Sequence, residues 1–292
     1  MSRVHEALRR SGLAEPFATF GSAVAAPQSS NNGAYFAEDL LTLVPSVPYA
    51  RSPNGLIIDA SRPLEPAGEE FRTVRTRINH MQSMQPIHAV IVTSPSPAEG
   101  KSFVAANLAL AEAQLAGNLT LLCDFDFRRP TIHDLFGIDR APGIADYLQG
   151  KVPLHEAMRR IGDSNLYVMT AGEPVMNPLE LLNLREVKKM LERLPDLFNW
   201  IILDSPPLLV AADANLLSTL CHGTILVARI GATTVDSITR AMQSLCQNNV
   251  LGIVVNGARQ GELYSKYSYY RSYYSGQSNA DQSDPHAPPD IQ

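Results

Sequence analysis

The stretch "HAVIVTSPSPAEGKSF", residues 88–103, joins an apolar run to a proline-containing loop that ends in Gly100, Lys101 and Ser102. The apolar run is typical of a buried strand, and the residues after Ser102 show helical spacing. A loop between a strand and a helix can bind phosphate, because backbone N–H groups and the helix N-terminus face the oxygens. In such loops the lysine contacts the β- and γ-phosphates and the serine hydroxyl holds Mg²⁺. The stretch therefore predicts a nucleotide site.

Two features of this loop depart from the complete phosphate-loop pattern. Pro95 occupies the place, five residues before Gly100, where the pattern has glycine. Pro95 and Pro97 also lack N–H groups with which to bind phosphate. A chance Gly-Lys-Ser triplet at the start of a helix is therefore an alternative interpretation, and the loop has to be judged together with the rest of the chain.

Apolar runs and helical patterns alternate along the chain. Further strands are predicted by "LTLLCDFD", "LYVMTAG", "NWIILDSPP", "GTILVARI" and "LGIVVNGA", at residues 119–126, 166–172, 199–207, 223–230 and 251–258. Helical spacing occupies residues 69–81, 102–117, 178–194 and 235–249. Buried parallel strands read as continuous apolar runs joined by crossover helices, so the pattern predicts an α/β fold: a parallel sheet with helices on both faces.

Composition shifts divide the chain into three segments. Residues 1–62, rich in Ala, Ser, Pro, Asn and Gly, predict a mostly flexible extension with a short amphipathic helix within residues 1–12. Residues 63–259 predict one folded domain. Residues 260–292 predict a disordered tail that carries six of the ten tyrosines. These are Tyr264, Tyr267, Tyr269, Tyr270, Tyr273 and Tyr274.

Three aspartates follow predicted strands. Asp124 and Asp126 lie two residues apart, on the same side of an extended chain, and Asp204 ends the run "WIILD". The carboxyl ends of parallel strands meet at one edge of the sheet, so these side chains should lie beside the phosphate loop. Nucleotide-hydrolysing proteins carry an acidic residue there that holds Mg²⁺. A solvated strand end is the alternative, but all three elements together predict a Mg²⁺-nucleotide site.

The composition limits the class of protein. Of the 292 residues 45% are hydrophobic and 18% charged, and the net charge of −5 is unlike that of a nucleic-acid-binding protein. Cys123, Cys221 and Cys246 lack metal-ligand spacing and are expected to be buried thiols in a reducing compartment. No apolar run approaches the roughly 20 residues that cross a bilayer, and the charged N-terminus is unlike a signal peptide. We therefore expect a cytoplasmic location.

These motifs together resemble the bacterial tyrosine kinases (BY-kinases) of exopolysaccharide and capsule synthesis, whose P-loop NTPase-type fold is partition-ATPase-like. The resemblance covers about residues 63–274 and rests on "PAEGKS", "DFDFRRP", "ILDSPP" and the tyrosine cluster. The segments "EEFRTVR", "NPLELL" and "VVNGA" are also similar to the family. Ala98 stands where relatives often have glycine. The resemblance implies the stand-alone cytoplasmic form, without a fused transmembrane activator.

The resemblance implies a role for each matching residue. Lys101 would hold the transferred phosphoryl group, Ser102 and Asp204 would lie at the metal, and Asp126 would support the metal and its waters. Asp124 would be both a metal ligand and the general base near the tyrosine hydroxyl. Together, Lys101, Asp124, Asp126 and Asp204 would be the catalytic residues. The nucleotide site would comprise Ala98, Glu99, Gly100, Lys101, Ser102, Phe103 and Asn256, with Asn256 near the adenine.

Glu69, Arg72 and Arg75 match the family's E-x-x-R-x-x-R motif, which implies a subunit interface in a ring-shaped homo-oligomer. Intrahelical ion pairs on a solvated face are the alternative, because the three residues share one helix face. The resemblance also implies a partner, the cytoplasmic segment of a membrane polysaccharide co-polymerase that regulates chain length. Such a partner would recruit the chain to the inner face of the plasma membrane.

The resemblance gives the tyrosine tail an expected use. It implies an autokinase that transfers the γ-phosphate of ATP, with Mg²⁺, to its own tail in trans within the homo-oligomer. Six phosphotyrosines would add roughly −9 to −12 charges, which favours release of the tail and loosening of the ring. Such a cycle would regulate polysaccharide polymerisation and export. A tail that only stacks on a partner is the alternative.

Two other functions stay open on the sequence. A partition-type ATPase would switch between monomer and dimer without a protein substrate, although such relatives usually carry a second lysine where this chain has Ser96. A non-catalytic nucleotide-binding regulator of assembly would fit the departures at Pro95 and Ala98. Phosphate on the tail distinguishes a kinase from both.

Overall fold

The computed structural model describes residues 40–48, 66–183, 185–245 and 250–258. The predicted N-terminal helix, the six tail tyrosines and Cys246 lie outside these ranges, and the predicted domain bounds stay predictions. Within the described ranges, none of the helices combines the length and the apolarity needed to cross a membrane.

An eight-stranded sheet forms the centre of the fold. Its strands are β1 (Ser46–Val47), β2 (Ala89–Thr93), β3 (Thr120–Asp124), β4 (Arg159–Ile161), β5 (Leu166–Met169), β6 (Trp200–Asp204), β7 (Gly223–Arg229) and β8 (Val250–Asn256). They are ordered β1-β4-β5-β3-β6-β2-β7-β8. All neighbouring pairs are parallel except β4 with β5, which is antiparallel. The predicted parallel sheet is thus confirmed.

Two strands, β1 and β4, were not predicted. Strand β1 lies within the segment expected to be mostly flexible, yet Val44 beside it is 7% exposed and packs into the core. Strand β4 reads "RRI" and therefore shows no apolar run. Its arginines bind backbone instead: Arg160 Nε donates to Ser164 O at 3.0 Å, and Arg159 Nη1 donates to Met158 O at 2.8 Å.

Eight helices surround the sheet in the described part of the chain. They are α1 (Pro66–Met84), α2 (Lys101–Ala113), α3 (Ile132–Phe136), α4 (Ile144–Leu148), α5 (Pro178–Leu182), α6 (Arg185–Arg193), α7 (Ala212–Leu220) and α8 (Val235–Ser244). The helical pattern over residues 178–194 forms two helices, α5 and α6, and a 3₁₀ turn at Leu194–Asp196. Helices α3, α4 and α7 were not predicted, because five to nine residues show too little periodicity.

Strands β2, β3, β5 and β6 bury both of their faces, as their continuous apolar runs require, whereas β8 at the edge of the sheet is only partly buried. In β2, Val90 and Val92 pack with α1, α2 and α3, whereas Ala89 and Ile91 point to the other face and pack with α4 to α7. Helix α8 packs over Leu226 of β7 in a third, smaller cluster. This packing holds the carboxyl ends of β2, β3 and β6, the three central strands, at one edge of the sheet.

Candidate nucleotide site

The loop between β2 and α2 has the backbone geometry of a tight phosphate loop. Ala98 and Gly100 both have left-handed backbone conformations, with φ of 63° and 98°. A Cβ atom on Gly100 would lie 2.0 Å from Nδ2 of Asn256, so only glycine fits there. Nδ2 of Asn256 in turn donates to the carbonyl oxygen of Glu99 at 3.0 Å. The end of β8 therefore lies directly against the loop that precedes Lys101.

Buried and half-exposed side chains hold this loop in place. Glu99 is 3% exposed, and its Oε2 accepts a hydrogen bond from the backbone N–H of Ser96 at 2.8 Å. Its Oε1 accepts from the Thr233 hydroxyl at 2.5 Å. Arg229 Nη1 donates to the carbonyl oxygen of Ala98 at 2.9 Å. The end of β7 thus fixes the loop from one side, and Glu99 has a structural role in addition to its predicted place at the nucleotide.

Lys101 joins three of the predicted site residues. Its Nζ lies 2.7 Å from Oδ2 of Asp126 and 3.6 Å from Oδ1 of Asp204, and donates to Oγ of Ser102 at 3.1 Å. Burial alone would lower the pKa of Lys101, but the carboxylates of Asp204 and Asp126 outweigh it and raise the pKa. The lysine is therefore a buried cation at neutral pH.

Asp124 and Asp204 face each other across neighbouring strands but differ in their partners. Oδ1 of Asp124 accepts from the N–H of Asp126 at 3.1 Å, and Oδ2 accepts from the N–H groups of Thr131 and Ile132 at 3.1 and 3.0 Å. Asp204 is 0% exposed, and neither of its carboxylate oxygens has a hydrogen-bond partner among the described residues. Burial raises the pKa of both groups, and for Asp124 the nearby Asp204 raises it further.

The arrangement fits a metal that binds together with a nucleotide. Buried polar atoms without hydrogen-bond partners are rare in proteins, so the oxygens of Asp204 are suited to bind a metal ion. Among the described residues, no group of three or more His, Cys, Asp and Glu side chains is arranged to hold a metal by itself. Mg²⁺ needs only one or two carboxylates when phosphates and water complete its shell. Asp204 and Ser102 fit that role, whereas the oxygens of Asp124 already accept backbone hydrogen bonds.

The side chain of Phe103 points away from the loop. Its ring makes an edge-to-face contact with Phe71 of α1, at a centroid distance of 5.8 Å. Both rings belong to the core between α1 and α2. Of the predicted nucleotide-binding residues, Phe103 therefore offers the site its backbone alone.

The E-x-x-R-x-x-R residues divide into two groups. Glu69 and Arg72 form an ion pair within α1, which was the alternative interpretation of the motif. Arg75 instead donates from Nη1 to the carbonyl oxygen of Ala111 in α2 at 2.8 Å. The motif therefore contacts the helix that carries Lys101, and its predicted role at a subunit interface stays a prediction.

Two buried polar contacts, one beside the site and one at the far end of α2, were not predicted from the sequence. Arg128, in the loop after β3, pairs with Asp213 in the first turn of α7. Glu112, near the end of α2, is 0% exposed and accepts hydrogen bonds from Asn79 and Asn118. An acidic residue inside the apolar pattern "NLALAEA" was a signal that could have revealed Glu112. The sequence carries no comparable signal for Asp213.

Comparison with known proteins points to one group of enzymes, although no family model matches the chain. The tyrosine-protein kinase YwqD of Bacillus subtilis (strain 168) is 33% identical over 216 residues, which are 73% of this chain and 90% of that protein. The tyrosine-protein kinase Etk of Escherichia coli (strain K12) is 32% identical over 221 residues. Those residues are 75% of this chain but 30% of Etk, so the chain spans less than a third of that relative.

Solved structures agree with the sequence comparison. The kinase domain of E. coli ETK matches with a TM-score of 0.65 and 31% identity, over 68% of this chain and 78% of that one. The cell division ATPase MinD of Pyrococcus furiosus matches with a TM-score of 0.50 and 22% identity, over 57% of this chain and 71% of that one. The MinD match shows the fold alone, and it confirms the predicted P-loop, partition-ATPase-like sheet. Because YwqD is matched over nearly its whole length, this chain belongs to the bacterial tyrosine-protein kinases.

Proposed function

We propose that this kinase transfers the γ-phosphoryl group of ATP, bound with Mg²⁺, to the tyrosines of its own C-terminal cluster. The observation that carries the proposal is the convergence of Lys101, Asp126 and Asp204 at the carboxyl edge of the sheet. A second observation connects this site to the tail. Strand β8 ends at Asn256, whose side chain contacts the phosphate loop, so the chain continues towards the tyrosines from a point beside the site.

The chain's own groups can bind the phosphates without further folding. The loop around Gly100 and the N-terminus of α2 present backbone N–H groups, which favour anions. Lys101 stays charged, and it can exchange the carboxylate of Asp126, 2.7 Å away, for the transferred phosphoryl group. The oxygens of Asp204 and the hydroxyl of Ser102 would then hold the metal. Mg²⁺, when bound, neutralises phosphate charge and orients the transferred group.

The acceptor tyrosine has to lose a proton, because its phenol pKa is about 10 and its neutral form is a weak nucleophile. We assign this task to Asp124, whose raised pKa brings it closer to that of a useful base. Both of its oxygens accept N–H groups from residues 126, 131 and 132. Asp124 is also 0% exposed, so it can accept the tyrosine proton only if the loop after β3 moves when tyrosine binds.

The transfer is proposed to occur in trans, between subunits of a ring whose interface includes Glu69 and Arg72. The tether permits this. From residue 258, the last one described, an extended chain reaches at most about 22 Å to Tyr264 and about 58 Å to Tyr274. The distal tyrosines therefore have the longest reach towards the site of a neighbouring subunit.

The resemblance to the family supports a place in exopolysaccharide and capsule synthesis. The proposed partner is the cytoplasmic segment of a membrane polysaccharide co-polymerase, which would recruit this cytoplasmic chain to the inner face of the plasma membrane. Cycles of tail phosphorylation would then regulate polymerisation and export.

Phosphopeptide mass spectrometry on residues 264–274, after incubation of the full chain with Mg-ATP, tests the proposal. We expect phosphate on several tail tyrosines of the wild type and none in Lys101→Met. The exposed Lys151 offers a matched control, since Lys151→Met removes a lysine far from the loop and should keep full activity. Wild-type protein that binds nucleotide but gains no phosphate would contradict the proposal and favour a nucleotide-switched ATPase or assembly regulator.

A mixing experiment tests the trans step separately. Lys101→Met protein with an intact tail is incubated with active protein that ends at residue 259. Phosphate on the Lys101→Met tail is expected. Its absence, while the wild type still phosphorylates itself, would show that each chain modifies its own tail.

A further inference from the structure

Arg128 and Asp213 form a two-point ion pair outside the cluster around Lys101. Nε of Arg128 donates to Oδ2 of Asp213 at 2.7 Å, and Nη2 donates to Oδ1 at 3.3 Å. Arg128 lies in the loop after β3, and Asp213 lies in the first turn of α7. The pair therefore connects the segment that follows Asp124 to the helix that follows Asp204.

The two partners differ in exposure. The side chain of Asp213 is 1% exposed, whereas that of Arg128 is 49% exposed. A buried carboxylate needs compensation, and the planar fork of arginine matches both of its oxygens at once. Lysine cannot reproduce this geometry, because its ammonium group acts as a point charge. The position of the arginine is thus set by the buried aspartate, and not the reverse.

Contacts on either side link this pair to the phosphate loop. The arginine lies two residues after Asp126, whose Oδ2 is 2.7 Å from Nζ of Lys101. On the other side, the segment 205–211 leads into α7, and its Leu208 N–H donates to the carbonyl oxygen of Ser94 at 2.9 Å. The ion pair therefore completes a set of contacts that connects the phosphate loop, the loop after β3 and the segment after β6.

The middle of the loop after β3 has few other ties. Its near end is fixed by Phe125, whose N–H donates to Asp204 O at 2.8 Å. Its far end is fixed by Thr131 and Ile132, whose N–H groups donate to Asp124. Oδ1 of Asp126 accepts from an N–H within the same loop, that of Arg129. Besides the pair of Asp126 with Lys101 and the buried ring of Phe127, the Arg128 fork ties the middle of this loop to another element.

We propose that Asp213 is a positioning residue for phosphoryl transfer. By holding Arg128, it fixes the middle of the loop against α7 and sets Asp126 opposite Lys101. Asp213 does not touch the nucleotide or the tyrosine; it acts through Arg128. This inference rests on the proposed roles of Asp126 and Lys101.

A double-mutant cycle with Asp213→Asn and Arg128→Gln tests the inference. Autophosphorylation kcat and KM for ATP are measured together with nucleotide Kd, from a fluorescent ATP analogue, and Tm. Loss of position near reacting groups lowers rates by up to about 100-fold, so each single variant should lower kcat about 10- to 100-fold. Nucleotide Kd should change less than kcat. If Asp213 acts through Arg128, the double variant is no slower than the slower single one.

Controls separate positioning from stability. Asp236→Asn breaks an exposed pair with Arg240, 3.1 Å apart in α8, and should leave kcat unchanged. Asp213→Glu keeps the charge and should recover part of the kcat lost in Asp213→Asn. A lower Tm with unchanged kcat would show a purely structural pair and overturn the inference, as would losses that multiply in the double variant.

Two further outcomes are a variant that does not fold and a wild type that gains no phosphate. Should Asp213→Asn fail to fold, Arg128→Gln and Arg128→Lys decide the question: reduced kcat in both supports the inference, and full activity of Arg128→Gln overturns it. If the wild type itself gains no phosphate, both the proposed function and this inference are wrong. If the wild type is active but the kcat losses of the two single variants multiply in the double variant, only the inference about Asp213 is refuted, and the proposed function stands.

Discussion

Asp124 and Asp204 show how one residue type acquires two chemistries at the same edge of a sheet. Both are fully buried, yet Asp124 accepts three backbone N–H groups while Asp204 accepts none from the described residues. Burial opposes ionisation, and it raises the pKa of Asp204 although Lys101 and Ser102 nearby oppose the rise. Asp204 therefore costs stability in the protein alone and is suited to bind a cation.

Asp204→Asn should separate stability from binding. At pH 8 the variant without nucleotide should melt at a higher temperature than the wild type, because it buries no carboxylate. It should lose most of the stabilisation by Mg-ATP, which amounts to about 2.7 kcal/mol at a hundredfold excess over Kd. Differential scanning fluorimetry with and without Mg-ATP measures both effects. The exposed Asp163 provides the control Asp163→Asn, and an undiminished Mg-ATP shift in Asp204→Asn would contradict its role at the metal.

Ala98 is the non-glycine residue with a positive φ among the described residues, at 63°. Left-handed backbone costs an L-residue about 1–2 kcal/mol, whereas the freedom of glycine in the unfolded chain costs about 0.4–1 kcal/mol. Ala98→Gly should therefore raise the free energy of unfolding by up to about 1 kcal/mol, measured by urea denaturation. Ala98→Val should lower it, since branched residues fit this conformation poorly. In the control Ala232→Gly, where φ is not positive, stability should fall, and an equal fall in Ala98→Gly would contradict the argument.

At the scale of elements, the apolar strands could be predicted and the short or charged pieces could not. Strands β2, β3, β5, β6, β7 and β8 appear where continuous apolar runs occur. Burial on both faces leaves this mark in the sequence of all of them but β8, whose position at the edge leaves Ile253 and Val255 exposed. Strand β4 has no such run, since its arginines bind backbone oxygens beside it. Strand β1 spans two residues and depends on pairing with β4, a contact between distant parts of the chain.

Helices α1 and α2 are joined by a buried polar network around Glu112. Asn79 Nδ2 donates to both Glu112 oxygens at 2.9 and 3.0 Å, and Asn118 Nδ2 donates to Oε2 at 2.8 Å. The indole N–H of Trp200 donates to Oδ1 of Asn79 at 3.0 Å. Burial raises the pKa of Glu112 to about 7, although these amides and the charge of Arg75 oppose the rise. The network therefore titrates near neutral pH.

The sign of the resulting pH dependence follows from the direction of the shift. The folded protein binds this proton more tightly than the unfolded chain, where the pKa is 4.5. The free energy of unfolding should therefore rise as the pH falls through about 7, and level off near 4.5. Because Trp200 is the one tryptophan of the chain, its fluorescence should report the same transition.

The measurement is a titration of Trp200 emission from pH 8.5 to 5. The wild type should show a midpoint near 7, and Glu112→Gln should abolish that transition and flatten the dependence of Tm on pH. The side chain of His88 contacts the residue before Trp200, because its Nδ1 lies 3.1 Å from the carbonyl oxygen of Asn199, so His88→Gln is the control and should keep the transition. A transition that survives in Glu112→Gln would contradict the assignment to Glu112.

At the scale of the whole molecule, the sheet order explains why much of the site could be predicted. Strands β3, β6 and β2 are neighbours, so residues that follow them in sequence meet at one edge. This rule brings Lys101, Asp126 and Asp204 together without knowledge of any distance. It could not reveal that Asp213 is buried against Arg128, because that contact depends on how α7 packs against a distant loop.

Phosphorylation of the tail would change the charge of the chain. Six phosphotyrosines would add roughly −9 to −12 charges to a chain whose net charge is −5. Subunits that dock these tails beside Asp126 and Asp204 would repel them after phosphorylation. If the proposed transfer in trans occurs, the kinase reaction should therefore end the association on which it depends.

Phosphorylation should convert the proposed oligomer to smaller species, as measured by light scattering after size-exclusion chromatography. Phosphatase treatment should restore the oligomer, and a variant with all six tail tyrosines changed to phenylalanine should keep its mass in the presence of Mg-ATP. Because 1 M salt shortens the screening length to about 3 Å, high salt should also restore association of the phosphorylated chain. A phosphorylated chain that keeps its full mass at low salt would show that tail charge does not control assembly. In that case, subunit contacts at Glu69 and Arg72 would hold the ring independently of the tail.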